Sequence, residues 1–222
     1  DGACETHRLM QTVADQGMPA VAMTDHGNMF GAVEFYISAK NHGINPIIGC
    51  EVYTAPLGQK DRSNARAYNH LVVLCENQEG YRNLIKLVSS GYLDGFYNKP
   101  RIDKDLLARH SKGLIALSAC LKGDIAEHLM EDKYQEAKRL AYEYQDIIGK
   151  ENFILELQDH GQEQDKKILP MLYRMSRESG MPLVATNDAH YLKRDDARAH
   201  EVMLCIQTGK TMSDPSRMKW DS

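Results

Sequence analysis

The sequence has no long apolar run. Nothing in it approaches the roughly 20 residues that a membrane span needs, and its N-terminus has no charged segment leading into an apolar one. A membrane protein is not expected. Positive charge is not in surplus either: 27 Lys and Arg stand against 31 Asp and Glu, a formal net charge of -4. That balance argues against wholesale electrostatic attraction to nucleic acid, while leaving room for a local basic groove or a metal-mediated phosphate contact. The 5 cysteines are odd in number and lack zinc-finger or thioredoxin spacing. Cys50, Cys75, Cys120 and Cys205 sit in or beside apolar segments, so reduced thiols in a cytoplasmic protein are the simpler reading. No Gly-x-Gly-x-x-Gly follows the first strand, so there is no dinucleotide fingerprint.

At 222 residues, with 42% hydrophobic and 26% charged residues, the chain fits one α/β domain with a single core. Its organising pattern is a short apolar run ended abruptly by a polar side chain. Ala20-Val-Ala-Met-Thr-Asp-His-Gly27 is the first case. Ile47-Ile-Gly-Cys-Glu51, Leu114-Ile-Ala-Leu-Ser-Ala-Cys120, Ile154-Leu-Glu-Leu-Gln-Asp-His160 and Leu183-Val-Ala-Thr-Asn-Asp-Ala-His190 repeat it. Asp, Glu, His and Cys are the side chains that bind transition metals.

Helical spacing predicts helices over 4–16, with Leu9, Met10, Val13 and Ala14 inward, and over 28–41, with Phe30, Val33 and Ile37 on the apolar face. Further helices are expected over 79–91, 103–110, 124–148, 163–179 and 195–206, with Pro170 kinking or restarting the sixth. Six strands are expected, at 20–23, 44–54, 70–75, 113–118, 153–157 and 182–186. Strands alternating with helices mean βαβ units and a parallel sheet, with the candidate ligands at the C-terminal strand ends. A barrel brings those ends around one mouth.

The candidate ligand set is Asp1, His26, Glu51, His70, Cys120, His160, Asp188 and His190. Mixed imidazole and carboxylate suits zinc, manganese or iron, and so many ligands suit two or three ions, the chemistry of phosphoester hydrolysis. Each residue also has a plainer reading. Asp25-His26 before a glycine suits a turn, His70 could be solvated at a strand edge, and Cys120 alone is more often a small buried hydrophobe. Asp188 and His190 are harder to set aside, because alternation puts both on one side. His7, His42, His110, His128 and His200 read as solvated or structural. Lys99 and Arg101 flank Pro100 in an aromatic loop, where they could hold a phosphate or simply face solvent.

Thr24-Asp-His-Gly-Asn28, Gly31-Ala-Val-Glu-Phe-Tyr36, Ile47–Tyr53, Asn98-Lys-Pro-Arg-Ile102 and Ala185-Thr-Asn-Asp-Ala-His-Tyr191 resemble one family closely. It is the polymerase and histidinol phosphatase (PHP) domain, in the form found at the N-terminus of bacterial replicative DNA polymerase III alpha subunits. Gly80-Tyr-Arg-Asn-Leu84 and Leu117–Gly123 resemble the same branch. The resemblance implies a distorted seven-stranded (β/α) barrel with a trinuclear site at its C-terminal face, holding two or three divalent ions, zinc or manganese, with magnesium serving the parent polymerase. By motif it implies His26, Glu51, His70, Cys120, His160, Asp188 and His190 as ligands. Asp1 is the acid closing the first motif, and His26, Asp188 and His190 are the residues nearest the chemistry. The family's His-x-His pair and first strand lie upstream of the first residue here, so the barrel is expected to lack that strand. The resemblance places the domain at 1–210 and the start of a linker at 211–222. It implies metal-dependent 3′–5′ exonuclease or related phosphoesterase activity, with DNA, a sliding clamp and a proofreading subunit as partners of the parent polymerase. Two rival readings are a structural module bracing the polymerase and a free-standing phosphatase.

Overall fold

A computed structural model of the chain describes residues 2–64 and 67–218. Asp1 lies outside the described residues. In chain order the elements are α1 (Thr6–Asp15), β1 (Ala20–Met23), α2 (Ala32–Asn41), β2 (Asn45–Thr54), β3 (Asn69–Cys75), α3 (Gln78–Leu93), β4 (Arg101–Ile102), α4 (Lys104–Arg109), β5 (Leu114–Leu117), α5 (Asp124–Met130), α6 (Tyr134–Ile148), β6 (Phe153–Leu157), α7 (Glu163–Ser179), β7 (Leu183–Ala185) and α8 (Ala197–Thr208).

The strands form one 7-stranded sheet in the order β1-β2-β3-β5-β6-β7, with β4 paired to β2. Its curl follows from β2, whose first half pairs with β1 and whose last two residues pair with β4, while β3 runs along its other side. The sheet is not wholly parallel, as alternation of strands and helices led one to expect. β3 is antiparallel to both β2 and β5. The reason is the connection: among the described residues between β2 and β3 there is no helix, and without a crossover the chain turns back antiparallel. β4 is the strand the pattern does not reveal, since two residues carry no periodicity.

Alternation along the strands separates two cores. Leu71 and Val73 of β3, Leu114 and Ala116 of β5, and Phe153 and Leu155 of β6 face the helices in the large cluster that includes Leu84, Leu87, Leu140, Tyr144 and Met175. The intervening residues Val72, Leu74, Ile115, Leu117, Ile154 and Val184 pack with Ala119 in a second cluster inside the curl. Burying each leucine or phenylalanine contributes about 1.5–3 kcal/mol.

The helices differ from expectation in instructive places. The region 124–148 is two helices, because Asp132 takes a left-handed φ of 61° between them. α7 runs unbroken through Pro170. α8 begins later than expected, after a 3-10 turn at Arg194–Asp196. In α2 the buried residues are Ala32, Phe35 and Ala39, whereas Val33 and Ile37 are outward and Phe30, just before the helix, is 84% exposed. The expected apolar face of that helix is therefore its solvent face.

Candidate metal centre

The inward rows of the sheet carry the site above the inner apolar cluster. Register puts Glu51 beside the inward Val72, Tyr53 beside His70, and Glu156 beside the inward Val184. Polar residues thus follow apolar ones at period two: Leu74, Val72 and His70 on β3, Ile154 and Glu156 on β6, Val184 and Thr186 on and beyond β7. His26 joins this layer because the segment after β1 forms a parallel bridge between His26 and Glu51, and the Gly27 N–H donates to the Glu51 carbonyl at 2.9 Å. Gly27 has a φ of 68°, and a Cβ there would stand 2.8 Å from Tyr53 Cε2, so only glycine lets the turn pass the ring.

Glu51 is the hub. It is 4% exposed, accepts a hydrogen bond from His70 Nδ1, and lies 3.5 Å from His26 Nδ1. Cys120 Sγ is 3.8 Å from Glu51 Oε1 and 3.6 Å from His70 Nδ1. One ligand atom each from His26, Glu51 and His70 lies within 4.8 Å of the others. The His190 ring stands 5.8 Å from the His26 ring, which is 5.4 Å from His70. His190 Nδ1 donates to the Asp188 carbonyl at 2.8 Å, leaving the lone pair on Nε2, the tautomer a metal ligand needs. His160 Nε2 donates to the Asn187 carbonyl at 3.0 Å, which ties the end of β6 to the Asp188 loop and leaves the lone pair on Nδ1. Asp188 holds a φ of 44°, a left-handed conformation that Asp tolerates better than most residues.

The electrostatics are those of a site whose charges need a partner. Burial works to raise the Glu51 carboxyl, but the His70 hydrogen bond and the charges of His26, His70 and His190 outweigh it and hold it below the ordinary value. Burial lowers His26, with His70 and His190 adding to the effect against Glu51. Burial and the Glu51 charge raise Asp188. Burial and Glu51 also push the Cys120 thiol well up, so without a metal it keeps its proton.

The proposed phosphate holders part company. Lys99 Nζ lies 5.2 Å from the Tyr53 ring centroid, and that ring stacks on His26 at 6.3 Å, so the ring separates the ammonium from the imidazole. Arg101 is fully buried, donates to the Asp61 carbonyl at 2.6 Å and sits 5.2 Å from the Tyr97 ring, where it braces the loop. Three residues went unassigned by sequence reasoning. Tyr53 forms the wall between His26 and Lys99. His200, expected to be solvated or structural, is 2% exposed with its ring 5.5 Å from His190. Glu156 was legible as an acid interrupting an apolar strand, a signal present in the sequence.

The donor set of imidazoles, carboxylates and one thiol, converging from β2, β3 and the segments after β1, β5, β6 and β7, fits divalent zinc, manganese or iron. Comparison with known proteins agrees with the fold. The PHP domain family matches residues 1–160. The chain is 46% identical to the DNA polymerase III subunit alpha of Treponema pallidum, over 99% of its own length and 19% of that protein. It is 44% identical to the one of Thermus aquaticus, over 99% of its length and 18% of that protein. The chain thus spans about a fifth of the length of the curated relatives it matches. A solved structure of a candidate metal-dependent phosphoesterase from Bifidobacterium adolescentis shares the fold with a TM-score of 0.50 at 11% identity, covering 87% of this chain and 84% of that one. The chain belongs to the PHP domain family.

Proposed function

We propose that this chain is the PHP domain of a bacterial DNA polymerase III alpha subunit, cytoplasmic and engaged in DNA replication, and that it is itself a metal-dependent phosphoesterase acting as a 3′–5′ exonuclease. The observation that carries this reading is the convergence of His26, Glu51 and His70, with Cys120 against them and His190 and Asp188 beside them. The domain spans residues 1–210, with 211–222 opening the link to the polymerase core. DNA, a sliding clamp and a proofreading subunit are partners of the whole protein.

Two or three divalent ions held by His26, Glu51, His70, Cys120, His160, Asp188 and His190 would lower the pKa of a water and take up negative charge on a phosphodiester. Asp1, outside the described residues, completes the proposed set. The chain's own groups do the remainder. Lys99 steadies a non-bridging phosphate oxygen, Tyr53 holds its ammonium against the ring that stacks on His26, and the Asp188 carbonyl fixes the His190 tautomer. Arg101 has no part in phosphate binding in this reading, since it is enclosed.

A second reading has one observation in its favour. The ligands come from neighbouring strands, and Glu51 lies in the interior, so ions there would also cross-link β2, β3 and the end of β5 as a brace. The test is primer shortening by the full-length protein, with a 3′-mismatched primer, Mn²⁺ or Zn²⁺ and no nucleotides, comparing wild type with His26→Ala and Asp188→Asn. Metal-dependent shortening lost in both variants supports the nuclease. No shortening by the wild type, with stability lost in the variants, supports the brace.

A further inference from the structure

Outside the ligand set, Glu156 is a buried acid with one carboxylate oxygen unsatisfied. Glu156 is 5% exposed and faces the inside of the curl, in the layer that holds Glu51 and His70. Its backbone is fixed, since its N–H donates to Ser118 Oγ at 2.9 Å. Oε1 accepts from Thr186 Oγ1 at 2.6 Å and from Gln158 Nε2 at 3.1 Å, joining the ends of β6 and β7. Oε2 is buried and has no hydrogen-bond partner among the described residues. A buried carboxylate oxygen left unpartnered is costly, and a side chain kept only to join two strands would satisfy both oxygens or be a neutral amide.

We propose that Glu156 is a further positioning residue of the metal centre, holding a water molecule of that centre through Oε2 and the Asp188 segment through Oε1 and Thr186. The second half follows from chain geometry. Thr186 precedes Asp188 by two residues, and Asp188 sits in a left-handed conformation that its surroundings must enforce. The first half follows from placement, since the oxygen without a partner is on the side of the sheet where the ligands converge. Charge supports both. Burial raises the Glu156 carboxyl against the hydrogen bonds from Thr186 and Gln158, and the negative charges of Asp188 and Glu51 add to the rise. An acidic layer of this kind is balanced when cations enter it.

The inference rests on reading this layer as a metal centre, and the experiment separates the two. In the full-length protein, Mn²⁺ and Zn²⁺ affinities are measured by competition with a chelator for wild type, Glu156→Gln and Glu51→Gln, alongside thermal stability of the metal-free forms. Glu156→Gln is expected to bind about 10–100-fold more weakly, the range for groups that orient ligands, while its metal-free form is at least as stable as wild type. Wild-type affinity in Glu156→Gln, with affinity lost in Glu51→Gln, overturns the role of Glu156 and leaves the centre standing. Wild-type affinity in both overturns the centre and the inference together. Should Glu156→Gln fail to fold, Thr186→Val removes only the tether and is expected to weaken Mn²⁺ binding, and unchanged binding there overturns the positioning role.

Discussion

Replacing Glu51 isolates what holds the centre together before any metal arrives. In Glu51→Ala the His70 Nδ1 donor, on a half-buried ring, loses its acceptor, and the side-chain volume empties. An unsatisfied buried donor costs about 1–3 kcal/mol, and the one lost methylene about 0.8 kcal/mol. Together these put the metal-free variant roughly 3 kcal/mol below wild type. In Glu51→Gln the amide oxygen still accepts from His70, and the loss is only the difference between a charge-assisted and a neutral hydrogen bond, about 1 kcal/mol. For a chain of this size each kcal/mol moves Tm by roughly 2–4 °C, so the metal-free variants should separate clearly. Metal then reverses the emphasis. At 100 times its Kd a bound ion stabilises wild type by about 2.7 kcal/mol, and both variants are expected to lose that increment. The assay is thermal unfolding with chelator and again with Mn²⁺ or Zn²⁺. If Glu51→Gln keeps the full metal-induced shift, Glu51 is not a ligand. If Glu51→Ala costs no more than Glu51→Gln, the buried bond to His70 does not carry the weight given to it.

Three further outcomes are expected. The Cys120 thiol, raised by burial and Glu51, should resist alkylation at neutral pH in metal-free protein and give up a proton when Zn²⁺ binds, measured by heat of binding in buffers of different ionisation enthalpy. His26 is depressed below its ordinary 6.5 by burial first, so the unfolded chain binds the extra proton. Its contribution to stability is therefore complete above about pH 6.5 and falls as the pH drops below it, a slope that His26→Gln should flatten in denaturant titrations of metal-free protein. Gly80 lies so close to the next loop that a Cβ would stand 1.7 Å from the Gly113 carbonyl oxygen, and Gly80→Ala should lower stability by several kcal/mol without direct contact with the ligands.

The sequence was most legible where a polar group interrupts a strong period. Asp25-His26, Glu51 and the Asp188–His190 turn stand out because each follows a short apolar run, and the structure brings His26, Glu51 and His190 within one neighbourhood. The exposed face of α2 was misread for a physical reason. Phe30, Val33 and Ile37 keep helical spacing as well as Phe35 and Ala39 do, and hydrophobicity alone does not choose between two apolar faces of one helix. The direction of β3 was not legible, since alternation is the same in either sense and only the connection between β2 and β3, without a helix among its described residues, carries the information. Arg101 and Lys99 look equivalent in the chain, since alternation gives i and i+2 the same side, and only the packing of the folded loop sends Lys99 to Tyr53 and encloses Arg101. The split at Asp132 escaped because an aspartate in a left-handed turn leaves no trace in an apolar pattern.

The central claim is that the inner polar layer binds metal. Crystals of the protein grown with Zn²⁺ or Mn²⁺, measured on either side of that metal's absorption edge, test it most directly. Anomalous density is expected at bonding distance from Glu51, His70 and Cys120, with His26 and His190 turned toward it. An empty layer at saturating metal, with these side chains still hydrogen-bonded to one another, would contradict the account.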